Sequence, residues 1–221
     1  MIIAAVLLPF LAHLVVQASK PWKALDPEQA LWVYKRCYED HLPSGSDRLT
    51  YMKLWNAWKL EPNDAITHCY AKCVMVGLQI YDVTENAFKS ERIPVQHQAY
   101  RKLNEAKQEE VSGYQKALAG LDPKTGSCVE LYNAYLPVHN RFVTVSRQLY
   151  HGTVEGAARI YAARPNIKRK GESFHAYCEK RAWKGKNQND LKKARNYELT
   201  GSAQLKQAID CIFRGLRYMD D

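Results

Sequence analysis

Residues 64–78 read DAITHCYAKCVMVGL, and this stretch decides the fold. Asp64 offers a capping oxygen to the backbone that follows it, and the apolar residues recur at helical spacing. A helix is therefore expected from Asp64 to about Tyr81. Cys69 and Cys73 then stand one turn apart on one helix face. A bond between them would close a very short loop and remove little entropy from the unfolded chain. Bonds from this helix to two different helices would instead staple three elements together. Cys37 and Cys128 are the natural partners, each on its own predicted helix, and Cys178 and Cys211 remain on two more. Spacing alone does not choose which cysteine takes which partner.

Helix signals continue in both directions. Upstream, Asp26-Pro27-Glu28 combines a capping oxygen, a proline whose missing N–H costs nothing there, and an acid at the positive helix end. Ala30, Val33, Tyr34, Cys37 and Tyr38 follow on one face, until Pro43-Ser44-Gly45-Ser46 breaks the pattern. A second helix is expected over about Arg48–Lys59, carrying Leu49, Met52, Trp55 and Trp58 and stopped by Glu61-Pro62-Asn63. Downstream, Asp82 to Arg92 reads as a loop and Asp122 to Gly126 as a turn. Helices are expected over about Pro94–Leu103, Asn104–Ala119, Cys128–Leu149 with Pro137 kinking or breaking it, Val154–Ala163, Gly171–Trp183, Asp190–Tyr197 and Ala203–Tyr218. Alternating strand patterns and internal repeats are missing. The expected class is all-α.

Met1 to Ser19 contain no charged side chain, and the run ends in Val16-Gln17-Ala18, which suits cleavage after Ala18. Residues 1–18 are expected to be a secretory signal peptide, although only the α-amino group supplies an n-region charge. The run is short for a membrane span and contains Pro9, so no membrane partner is expected. The remainder, about 200 residues, is enough for one large domain or two small ones. All six cysteines lie in it, and an even number in an exported chain points to three disulfides rather than a metal site. The net charge of +9 suits an anionic partner: a fatty-acid carboxylate, heparan sulfate or nucleic acid. Export argues against nucleic acid.

The ordered motifs carry a further reading. Pro21-Trp22, Asp26-Pro27-Glu28, Arg36-Cys37, Glu39-Asp40, Trp55, Trp58, Glu61-Pro62, Cys69 to Val74 and Tyr81-Asp82 resemble the first half of the D7 salivary proteins of blood-feeding flies, within the odorant-binding protein superfamily. Pro137-Val138-His139, Tyr150-His151-Gly152, Tyr177-Cys178-Glu179, Asp210-Cys211 and Arg217-Tyr218 extend the resemblance over the rest of the chain. Long mosquito forms run on through further helices, whereas this sequence stops at Asp221, so it looks like the shorter sand-fly form or a truncated long form. The resemblance implies the pairings Cys37–Cys73, Cys69–Cys128 and Cys178–Cys211. It also implies two odorant-binding-protein-like helical domains, residues 19–145 and a shortened one over residues 146–221.

The function implied is that of a secreted salivary scavenger, not an enzyme, without a cofactor or metal and expected as a monomer. It would hold host eicosanoids, namely leukotrienes C4, D4 and E4 and thromboxane A2, and so oppose vasoconstriction, platelet aggregation and inflammation. The apolar supply for a lipid chain includes Leu31, Tyr34, Tyr38, Leu49, Met52, Leu54, Val74, Leu78, Leu131 and Tyr135; of these, Tyr34, Met52 and Tyr135 are taken as site residues. The resemblance places Trp55 and Trp58 at the pocket mouth, Tyr70 where a hydroxyl meets a thromboxane-type ligand, and Lys168-Arg169-Lys170 where cations meet the acid. Biogenic-amine binding is expected to be weak or absent. Gln207-Ala208-Ile209-Asp210 lacks the histidine that amine-binding relatives place there, and Arg195 alone is not a site.

Catalytic patterns do not compete with this reading. G-x-S-x-G, H-E-x-x-H and phosphate-loop motifs are missing from the sequence. His68, His139, His151 and His175 read as surface or helix-terminus residues. Two alternatives belong to other classes: an inhibitor that binds host coagulation proteins through its basic surface, and a carrier of odorants within the insect.

Overall fold

A computed structural model describes residues 21–219 apart from 104, 124 and 187. The expected signal peptide, residues 1–18, lies outside the described residues. The elements in chain order are α1 (Pro27–His41), α2 (Arg48–Asn56), α3 (Ala65–Gly77), β1 (Tyr81–Asp82), β2 (Ala87–Phe88), α4 (Arg92–Tyr100), α5 (Gln108–Ala119), α6 (Cys128–Leu149), α7 (Val154–Ala163), α8 (Phe174–Ala182), α9 (Gln188–Arg195) and α10 (Ala203–Gly215).

The caps explain several starts. Asp26 accepts from the Gln29 amide while the Gln29 side chain answers the Asp26 amide, a reciprocal capping box on α1. Asp64 accepts from Thr67 at the start of α3. Ser127, Thr153, Ser173 and Ser202 do the same for α6, α7, α8 and α10.

Three expectations shift. The second helix stops at Asn56 instead of Lys59, because Trp58 takes a left-handed backbone (φ 61°) that no right-handed helix accommodates. The expected loop after α3 contains a small antiparallel ladder, Tyr81 opposite Phe88, turned through the left-handed Asn86. In α6 the non-helical residue is Phe142 rather than Pro137, and the Phe142 ring packs on Tyr114 at 5.7 Å.

The three disulfides are Cys37–Cys73, Cys69–Cys128 and Cys178–Cys211. The first two clamp α3 between α1 and α6, the helices it packs against. The main core forms there and extends to α4 and α5, with Ala30, Met75, Ile93, Val111, Tyr114, Leu131 and Leu149 almost fully buried. Residue 145 lies within α6. Beyond α7 a second, small core of Ala182, Trp183, Leu205 and Ala208 joins α8 and α10.

Candidate functional site

The helices around α3 leave a cavity of about 470 Å³, a size suited to a small organic ligand. Pro27, Leu31, Tyr34 and Tyr38 of α1 form one wall, and Tyr70, Ala71 and Val74 of α3 with Leu78 and Ile80 form the next. Tyr135, His139 and Ser146 come from α6. The α2 end supplies Trp55, Asn56, Trp58, Lys59 and Leu60, and α7 closes the ring with Val154, Ala157, Ala158 and Tyr161.

Aromatic packing fixes the α2 side. Trp55 stacks face to face on Tyr70 at 3.8 Å, with Tyr51 and Tyr38 edge-on to it at 5.4 and 6.1 Å. Trp55 is only 4% exposed, so it belongs to the inner wall rather than to the mouth. Trp58 is half-buried, lies edge-on to Tyr34 at 5.1 Å, and carries the Arg147 guanidinium over its ring at 5.2 Å. Gly152 makes that position possible: a Cβ there would fall 2.3 Å from the Trp58 ring.

The polar groups are few and mostly neutral. His139 donates its Nε2–H to the Trp58 carbonyl (2.9 Å), and His151 donates its own to the Leu25 carbonyl (2.8 Å). Burial holds both imidazoles below their ordinary range and therefore uncharged at neutral pH. The Tyr114 and Tyr135 hydroxyls bond each other at 3.1 Å. The buried hydroxyls of Tyr34 and Tyr150 and the Nδ1 of His151 have no protein partner. Burial raises the phenols of Tyr34, Tyr70, Tyr114 and Tyr150 above the ordinary tyrosine range, so all four stay protonated donors.

Charge appears at the rim. Lys59 and Lys170 line the cavity and are exposed, whereas no carboxylate lines it. Thr153 and Val154 bring the N-terminal end of α7, with its positive dipole, to the same cavity. A largely apolar, aromatic interior with a cationic edge suits an amphipathic acid. Among the described residues no cluster of metal-ligating side chains occurs, and no helix is long and apolar enough to cross a membrane.

The structure brings Tyr34, Trp55, Trp58, Tyr70, Tyr135 and Lys170 to this cavity, together with Leu31, Tyr38, Val74 and Leu78. Met52, Leu54 and Leu131 pack in or against the core, and Leu49 points to solvent at 73% exposure. Lys168 faces Glu28 at 4.0 Å and the Phe174 ring, while Arg169 lies over Tyr161 and donates to its carbonyl. His139, buried within α6, departs from the surface or helix-terminus reading, whereas His151 stands just past the end of α6. His139 is 7% exposed beneath Trp58, and the His151 ring is tucked under Leu25. Among the lining residues that sequence reasoning missed are Lys59, Ile80, His139 and Ser146, together with His151 to Val154, Ala157, Ala158 and Tyr161. Their signal was the Tyr150-His151-Gly152 motif followed by the small-residue pair Ala157-Ala158.

No family model matches the chain. The Long form salivary protein D7L1 of Anopheles stephensi is 78% identical over all 221 residues, which span 70% of that relative's length. The crystal structure of the AnSt-D7L1–U46619 complex superposes with a TM-score of 0.89 at 78% identity, over 91% of this chain and 68% of that one. The AeD7–leukotriene E4 complex follows at 0.84 and 30% identity, over 90% and 68%. The D7 protein of the sand fly Phlebotomus duboscqi shares the fold at 0.59 and 21% identity, over 90% and 97%.

Proposed function

The chain belongs to the D7 salivary protein family, and from that premise we propose that it captures host eicosanoid acids, one per molecule, in the cavity between α1, α3, α6 and α7. Like the salivary proteins it matches, it is secreted into saliva. The observation that carries the proposal is the pairing of apolar aromatic walls with two rim lysines and no lining carboxylate. The bound lipid would be a cysteinyl leukotriene or thromboxane A2, withheld from its receptors so that vasoconstriction, platelet aggregation and inflammation subside at the bite. Capture is stoichiometric, not catalytic.

The chemistry divides between tail and head. Burying about ten methylenes contributes roughly 8 kcal/mol before ordering costs, on the order of micromolar affinity. The carboxylate stays at the rim, where Lys170 and the α7 N-terminus supply positive charge. A charge-assisted hydrogen bond adds about 1.5–3 kcal/mol, enough to bring binding below micromolar. Tyr70, held protonated on its Trp55 stack, is placed to donate to a ligand oxygen within the cavity. Relatives captured with U46619, a thromboxane analogue, and with leukotriene E4 support this choice of ligand class.

Serotonin and related amines do not bind under this reading. The depression beside Cys178–Cys211 is bordered by Arg181 and Gln207, and a guanidinium there repels an ammonium. Isothermal titration calorimetry of the oxidised protein with leukotriene C4, U46619 and serotonin tests the whole proposal. One-to-one submicromolar binding of the two lipids, with no heat from serotonin, is expected. No heat from either lipid would overturn it.

A further inference from the structure

The net charge is distributed very unevenly. Residues 21–163 carry seventeen cationic side chains against sixteen carboxylates, and residues 164–219 carry fourteen against five. The whole formal charge of +9 therefore resides in the last quarter of the described chain. Within it, the stretch from Lys180 to Lys193 is densest, with Lys180, Arg181, Lys184, Lys186, Lys192 and Lys193 all exposed.

This stretch is the α8–α9 hairpin. Arg195 reaches back to Glu179 at 2.7 Å, and Trp183 donates to Asp190 at 2.9 Å, so α9 folds back along α8. Of its two carboxylates, Glu179 is taken by Arg195, and Asp190 accepts from the Trp183 indole and, at 2.7 Å, from the Ser202 hydroxyl. Lys193 lies within electrostatic reach of Asp190, whereas Lys180, Lys184, Lys186 and Lys192 form no ion pair among the described residues, and Arg181 rests on the Tyr177 ring. Lys180, Lys192 and Lys193 stand in last helical turns, where cations favour the helix dipole, but Lys184 and Lys186 lie in the connection between α8 and α9, where no dipole accounts for them.

The kind of partner follows from what else the hairpin exposes. Within residues 180–193, Trp183 is 3% exposed and Ala182 is buried, so the lysines surround no apolar anchor of the kind that centres a protein–protein interface; the nearest exposed apolar side chains, Tyr197 and Leu199, lie beyond the end of α9. For the same reason no aromatic ring in this stretch is available to stack on bases. What remains is a set of flexible point charges, suited to a polymer whose anions are closely spaced but not fixed in one geometry. Saliva delivers the protein outside cells, where polymers of that description are sulfated polysaccharides. We propose that the α8–α9 hairpin binds a sulfated glycosaminoglycan chain and thereby holds the protein in the host matrix. This site is separate from the α1–α7 cavity and does not depend on what that cavity holds.

The test titrates the full-length oxidised protein with a heparin decasaccharide at several salt concentrations, beside the variant Lys184→Gln/Lys186→Gln/Lys192→Gln/Lys193→Gln. These side chains are exposed and pack in neither core, so the variant's circular dichroism should match the parent's. Saturable binding is expected, with log K falling linearly against log salt and the variant at least about tenfold weaker. Desulfated decasaccharide should not bind. Three results would overturn the proposal: no saturable binding, equal affinity in the variant, or equal affinity for a DNA duplex of similar length. Capture of a plasma clotting factor that the decasaccharide does not disturb would overturn it as well, and would assign the lysines to a protein partner.

Discussion

Residues 21–163 and residues 164–219 reach stability by different means. The first region wraps α1, α3, α4, α5 and α6 around a large core, is clamped by two disulfides, and is almost electrically neutral. The second joins α8 and α10 through four buried residues and one disulfide, and it carries the entire net charge. The larger core tolerates a cavity because the surrounding burial holds its walls apart, at the cost of several unpartnered hydroxyls. The smaller region has no such reserve, and its chemistry lies on its surface.

The largest expected effect sharpens this contrast. Cys178→Ser/Cys211→Ser should cost about 2–5 kcal/mol, concentrated in a region whose small core cannot absorb it. Hydrogen exchange should then show lost protection over residues 174–215 with α1 to α6 unchanged. Loss spread evenly over both regions would mean that they are one cooperative unit.

Next in size is Trp55→Ala, which removes the stack on Tyr70 and leaves a hole in the inner cavity wall. It should destabilise the protein by about 3–5 kcal/mol, measured by urea unfolding, and the rigid framework should leave α8 and α10 protected. Lys170→Gln acts on binding alone: affinity for an eicosanoid acid should fall by about 1–2 kcal/mol, while unfolding stays within about 0.5 kcal/mol. Lys168→Gln should change binding less, because Lys168 already faces Glu28.

The pH response separates the regions too. Burial lowers His139 and His151 below the ordinary histidine range, so the unfolded chain takes up protons before the folded one does. Their contribution is complete above about pH 6.5 and is lost as pH falls toward the folded pKa. Acidification should loosen the cavity region first, and His139→Gln should flatten the response. An unchanged profile in that variant would show that other groups govern it.

Much of the fold was legible from local chemistry. Asp26 and Asp64 announced α1 and α3 because capping is decided within four residues. The disulfide pattern followed from two cysteines sharing one helix face, together with family resemblance. The end of α2 was not legible: nothing local forces Trp58 into a left-handed backbone, and Gly152, far along the chain, leaves the room for its ring. The cavity was legible where aromatics lie near the cysteines, as with Trp55 and Tyr70. It was obscure in α7, where Ala157 and Ala158 line the cavity by being small and resemble any helix surface. His139 was misread because its burial depends on the Trp58 carbonyl, distant in sequence.

The central claim is that an eicosanoid lies in the α1–α7 cavity with its acid at the rim, and a crystal structure of this protein soaked with U46619 tests it most directly. The carboxylate should sit beside Lys170 and the start of α7, with the chain running inward past Trp58 toward Tyr70 and Tyr135. Density for the ligand in the depression beside Cys178–Cys211, with the cavity left empty, would contradict it.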